Sequence, residues 1–194
     1  MSDLYKVIVD GRSCHGGDLA WPLPQGDQPG EWVTAKVNGR EATAADLSLC
    51  SVGLHLTDDP ARWWIPGCAI YLAEADGVVG SCEDVDVDDR KVVCRRVRLL
   101  RLASTEELAA LRIWSSGEHI AGELPCVAHG SAVVRAYSSA TVRAYGSATV
   151  QAYDSATVVS WWGKPGIHVN QLAIWIERGN GFAAPVIHVA EAQS

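Results

Sequence analysis

Methionine and phenylalanine are nearly missing from this chain of 194 residues, with one of each. A core built on them is excluded, so its bulk must come from eight Trp, five Tyr and the aliphatic residues. Positive charge is also scarce: 16 Lys and Arg stand against 23 Asp and Glu, for a net charge of −7. Such a mean field repels nucleic acid phosphates and anionic membranes, and generic binding to either is not expected. No apolar run approaches the ~20 residues that span a bilayer. The opening MSDLYKVIVDG lacks a basic segment followed by a long apolar one, so the expectation is a soluble, cytoplasmic protein with no membrane contact. Cysteines at 14, 50, 68, 82, 94 and 126 form no C-x-x-C pair and no tight cluster with histidine. That spacing gives no structural zinc site, and without a secretory signal reduced, partly buried thiols are expected. G-x-S-x-G, H-E-x-x-H and glycine-rich phosphate loops are all missing.

What is present is repetition. Residues 135–158 read RAYSSATVRAYGSATVQAYDSATV, with the consensus A-T-V-x-A-Y-x-S recurring every eight residues. Alternate residues of a strand face opposite ways, which groups Ala140, Val142 and Ala144 on one side and Thr141, Arg143 and Tyr145 on the other. The small residues make the inner set. Gly146-Ser147 and Asp154-Ser155 supply the bends. A parallel β-roll with two octads per coil and an antiparallel meander both satisfy this pattern. In the roll Arg135 stacks over Gln151 and Arg143 moves to the opposite sheet. Like charges side by side cost energy, and Ala-Val-Ala faces suit two closely spaced sheets, so the roll is favoured. A stack this short needs caps, and Trp161-Trp162 with the stretch after them supply one.

The expected fold is therefore mainly β: a small α+β head over residues 1–125 and a β-solenoid with its C-terminal cap over 126–194. Within the head, LYKVIVDG and CAIYLAEADG read as strands, as does DRKVVCRRVRLLRLA. Asn38-Gly39 signals a hairpin turn, and Asp58 or Asp59 before Pro60 signals the start of a short helix carrying Trp63 and Trp64. The one principal helix is expected near 105–115, opened by Ser104 and Glu107 as a capping box and spacing Leu108, Leu111 and Trp114 along one face.

Several groups invite chemistry. The acidic run from Glu83 to Asp89 lacks the central glycine and distal glutamate of a calcium loop, so it reads as a solvated strand face and no metal is expected. Arg90, Lys91, Arg95, Arg96, Arg98 and Arg101 follow directly; either the two blocks neutralise each other across a turn, or Arg95, Arg96 and Arg98 form a phosphate cradle, since guanidinium forks match phosphate oxygens. Cys14 and His15 resemble a thiolate and base in type only, because neighbours on a strand point apart.

The order VGLHLTDDPARWW, AIYLAEADG, RKVVCRRVRLLR resembles an uncharacterised domain of bacteriophage and some bacterial proteins, in which such strands and a short helix precede alanine-rich tandem repeats. The resemblance covers most of residues 5–160. It implies a phage or prophage accessory protein acting in the host cytoplasm, and no particular activity. More faintly, the same strand-helix-strand is similar to ADP-ribosyltransferase folds, which would imply NAD as cofactor, Thr57 and Trp63 lining its pocket, His15 or Arg12 as the early residue and Glu106 or Glu107 as the late one. Glu107 departs from that pattern by opening a helix.

Three functions are thus expected in order. First is a non-enzymatic interaction protein, using no cofactor, whose repeat presents Tyr137, Arg143, Tyr145 and Tyr153 to a protein partner or to another copy in a homo-oligomer. An NAD-dependent transferase in the head is the second. Third is a protein sequestering a nucleotide or other small ligand, with the arginines as cradle and Trp63 or Trp64 as stacking plate.

Overall fold

The structure, a computed structural model, describes residues 3–14, 16–48, 51–81, 91–163, 165–170, 172–178 and 184–189. It forms two compact units, Met1–Ser104 and Thr105–Ser194. That division lies upstream of the expected boundary at 125/126, because strands before the octads already belong to the stack.

The first unit contains β1 (Leu4–Val9), β2 (Arg12–Ser13), β3 (Val33–Thr34), β4 (Lys36–Val37), β5 (Arg40–Glu41), β6 (Leu54–Thr57), β7 (Ala69–Ser81) and β8 (Lys91–Leu102). The Asn38-Gly39 signal makes the β4–β5 hairpin, with both residues at positive φ, 49° and 81°. Such a turn matches the right-handed twist of its strands. Where a helix was expected at Pro60, a single 3-10 turn forms over Pro60–Arg62. Asp59 does not cap it by a side-chain hydrogen bond; its carboxylate instead takes the Arg62 guanidinium at 3.3 Å.

Four of these strands close on themselves. β1 pairs antiparallel with β7, β7 with β8, β8 with β6, and β6 returns to β1. Ile8, Leu54, Leu56, Cys94, Val97 and Leu99 fill the core beside Trp21. Three of the junctions are ladders of several residues, but the β1–β6 seam is one bridge, Tyr5 opposite Thr57.

The second unit begins with α1 (Thr105–Ala110), followed by β9 (Ile113–Trp114), β10 (Glu118–Ala121), β11 (Cys126–Ala128), β12 (Val133–Ala136), β13 (Thr141–Gly146), β14 (Thr149–Ala152), β15 (Thr157–Gly163), β16 (Gly166–Val169), β17 (Ile174–Glu177) and β18 (Val186–Val189). Even and odd strands from β9 to β17 separate into two sheets, β10-β12-β14-β16 and β9-β11-β13-β15-β17, and β18 joins the second at β17. All neighbours are parallel except β17 and β18. This is the roll: Arg135 pairs with Gln151, while Arg143 lies in the other sheet between Val127 and Val159. Ala132, Val134, Ala136, Ala140, Val142, Ala144, Ala148, Val150, Ala152, Ala156 and Val158 all have no accessible surface, as expected of the inner set.

The corners explain the rest of the octad. Gly130, Ser138, Gly146 and Asp154, eight residues apart, all have φ between 54° and 64°. Glycine accepts that region freely, and aspartate tolerates it better than bulky residues. Hydrogen bonds then tie corner to corner: Ser147 Oγ donates to the Gly130 carbonyl at 2.7 Å, Ser155 Oγ donates to Ser138 at 2.9 Å, and the Ser138 amide donates to Asp154 Oδ2 at 3.0 Å. The serine of the consensus is therefore a corner staple.

The helix is shorter than expected. Arg112 takes φ of 61°, outside the helical region, and Ile113 and Trp114 pair in parallel with Val127 and Ala128. Joining the sheet buries Trp114 against the core and leaves α1 at its end, with Ala109 packed on the same cluster. The Trp114 indole donates to the Ala109 carbonyl at 3.2 Å. At the other end Trp175 lies over Val158 in register and packs on the core, so the closing stretch does act as a cap.

Candidate functional site

The weak seam of the first unit opens into a cavity of about 410 Å³. An antiparallel ladder through Tyr5 and Thr57 would continue to Val7 and His55. Instead the strands part, and the ammonium of Lys6 donates to the His55 carbonyl at 3.0 Å. Lys6 also stands 4.9 Å over the Trp21 ring and is only 8% exposed.

Opposite, Thr57 pairs with Lys91 at the start of β8, whose ammonium lies 3.7 Å from the centre of the Trp63 ring. The segment from Cys14 to Trp21 closes another side. It is fixed by the Trp21 indole donating to Ser13 Oγ at 3.1 Å and by the Cys14 thiol donating to the Trp63 carbonyl at 3.7 Å.

The charge of this lining is one-sided. Among the described residues it contains Lys6, Lys91 and His55 and no Asp or Glu. Burial, the dominant cause, pulls the Lys6 ammonium down to about 8, and Lys91 adds to the shift. His55 is held below its ordinary value, first by burial and then by the two lysines. Burial pushes the Cys14 thiol up to about 11, so it is a neutral donor at pH 7 and not a thiolate nucleophile. An anion reaching Lys6 meets a cation that burial has already stripped of much of its water.

Of the residues expected from sequence, Thr57 and Trp63 line this cavity. Thr57 Oγ1 accepts the Asp59 amide at 3.0 Å. Trp64 is 7% exposed and lies outside the lining, so it is no stacking plate. His15, the acidic run 83–89 and Arg90 fall outside the described residues. Arg12 pairs loosely with Asp18 at 3.8 Å. Glu106 and Glu107 belong to α1 of the second unit.

Arg95, Arg96 and Arg98 do not form an open phosphate cradle. Arg98 bonds Glu74 at 2.6 Å, while Arg95 and Arg96 share Asp76 at 3.4 and 3.6 Å. Both Arg96 and Arg98 also cover the Trp32 ring at 4.9 Å. Their partners sit across the β7–β8 ladder, where Glu74 pairs with Arg98 and Asp76 with Arg96.

On the roll, Tyr137 is 38% exposed and stacks on Tyr153 with ring centres 5.1 Å apart. Arg143 is half-buried on the outer side of β13. Tyr145 departs from its expected exposure: it sits on the opposite corner row, where β13 shifts register after Ala144, and is 5% exposed. It offers little surface to a partner.

Sequence reasoning missed Lys6, and it read Lys91 only as part of the basic block that neutralises the acidic run. Lys6 sits in LYKVIV, where one charged residue reads as a solvent-facing strand position. The signal was there in part: Tyr5, Val7 and Ile8 leave that strand no polar face.

Comparison with known protein families, with curated proteins and with solved structures returns no match to this chain. Among the described residues no three His, Cys, Asp or Glu side chains are grouped to hold a metal ion, and no helix is long and apolar enough to cross a membrane.

Proposed function

We propose that this protein is a non-enzymatic binding protein whose first unit captures a small anionic ligand in the seam cavity. One observation carries the reading: in a chain of net charge −7, Lys6 lines the cavity as a buried cation, only 8% exposed. Keeping Lys6 buried opposes the stability of the fold, and an anion relieves that cost. A transferase would need a carboxylate at the reacting centre, and the described lining offers none.

Amide chemical shifts read during a sulfate titration at constant ionic strength test the proposal. Gly16, Gly17 and Gly53 line the cavity and should shift saturably, the roll should stay silent, and Lys6→Met should abolish the response. Uniform small shifts that survive Lys6→Met would remove the reading.

A second reading keeps the roll as a surface for protein contacts or self-association. It is supported by the outer face of β17 and β18, where register places Ile174 beside Val189 and Ile176 beside Ile187. Ile187 and Val189 are 63% and 65% exposed. Native mass measurement at high concentration tests it, and a strict monomer would remove self-association.

A further inference from the structure

We propose that Lys6 is an attachment point for a small apolar aldehyde, which enters the seam cavity and condenses with the lysine amine to a reversible imine. The proposal shares its lysine with the anion reading above but does not rest on it.

Lys6 lines the cavity and is only 8% exposed. Its Nζ lies 3.0 Å from the His55 carbonyl and 4.9 Å from the centre of the Trp21 ring, and both of those residues belong to the same lining. The amine is therefore held within the cavity wall. Burial there disfavours the ammonium and brings the group down to about 8, which leaves an appreciable share of neutral amine near pH 7.5. A neutral amine keeps one N–H on the His55 carbonyl and still presents its lone pair to a carbonyl carbon.

The walls select what reaches it. Leu19, Leu54 and Leu56 line the cavity with Trp21. Its volume of about 410 Å³ lies in the range of small-molecule sites, roughly 300–1,000 Å³, so a short carbon chain fits beside the amine. Apolar walls take up the hydrocarbon part of an aldehyde and keep its carbonyl near Nζ, which replaces a chance encounter by one within the cavity.

Condensation also suits the local charge. The amine nitrogen attacks the carbonyl carbon and gives up its two protons, and the carbonyl oxygen leaves with them as water, so that C=N replaces C=O. No oxidant, reductant or activated leaving group is needed. The imine nitrogen is less basic than an alkylamine, so a neutral group takes the place of a cation that this wall solvates poorly.

Reductive trapping tests the proposal. The folded protein is incubated at pH 7.5 with butanal and cyanoborohydride, which reduces the imine to a stable secondary amine, and peptide mapping by mass spectrometry follows each lysine. Lys36, exposed on β4, is the internal standard. At that pH an amine near 8 is roughly a hundredfold more deprotonated than one at the ordinary value, and its lower nucleophilicity takes back part of the gain. Lys6 should thus be labelled at least tenfold faster than Lys36. The preference should vanish in urea, and it should be larger with butanal than with the polar glycolaldehyde. Labelling of Lys6 no faster than Lys36, a preference that survives in urea, or equal preference for the two aldehydes would overturn the inference. Sulfate separates the two readings of this lysine. Lys6-dependent amide shifts with sulfate but no preferential labelling would overturn the imine and leave the anion reading intact. Preferential labelling with no saturable response to sulfate would support the imine and remove the anion reading.

Discussion

The two units solve the same problem differently. In the roll every strand is paired, every inner position is Ala or Val through the octads, and every corner repeats one backbone conformation. The first unit closes its ring with one bridge, places a lysine beside its core, and leaves a cavity there. Regularity gives the octads of the second unit an inner set of Ala and Val with no side-chain polar group to satisfy. The first gives up that regularity at one seam, and the cavity lies there. A buried cation against a partial closure is the kind of local conflict that functional sites retain.

The largest effect that would break this contrast lies in the roll. Val150→Asp puts a carboxylate among fully buried alanines and valines with no cation in that core cluster. We expect cooperative loss of the second unit's β structure, a cost of more than about 4 kcal/mol, read by circular dichroism and chemical denaturation. A folded, soluble variant would mean that the interior is wetter than described.

Next is the pH dependence set by Lys6. Its folded-state value of about 8 lies below the ordinary 10.5, so the unfolded chain binds more protons between those values and stability from this group rises with pH across that window. Cys14 and Cys94, raised to about 11 by burial, work the other way above pH 9. Both thiols are held down in part by Lys6, so the comparison with Lys6→Met is read below pH 9, where they stay protonated. Relative to that variant, the wild type should gain roughly 1 kcal/mol from pH 8 to pH 9, read by urea denaturation at stepped pH. A flat difference would place Lys6 in water.

An effect of similar size concerns a corner. Asp154→Ala removes the bond to the Ser138 amide and leaves alanine at φ of 56°. We expect a loss of about 1–2 kcal/mol, with Asp154→Gly recovering the backbone part only. Equal stability of all three would reduce the octad's aspartate to decoration.

Much of the roll was legible because its constraint is local and repeated: the inner Ala-Val-Ala set, the stacking of Arg135 on Gln151 and the corners at Gly146 and Asp154 all follow from a period of eight. Tyr145 was not, since the consensus treats all tyrosines alike while two octads per coil send them to different corners. The helix from 104 was misjudged in length because Ile113 and Trp114 fit a helical face as well as a strand, and only pairing with Val127 and Ala128 decides. In the head, individual strands could be read from alternation, but not the closure of β1 on β6. That closure joins Tyr5 to Thr57, 52 positions apart in sequence, and borders the cavity that Lys6 lines.

On the anion reading, Lys6 stands partly discharged near pH 8 until an anion arrives. Calorimetric titration with sulfate at pH 8, in buffers of different ionisation enthalpy, tests it directly. An anion beside Lys6 raises its affinity for protons, so binding should take up roughly half a proton in the wild type and none in Lys6→Met. Heats independent of the buffer in the wild type, or equal uptake in the variant, would contradict the claim.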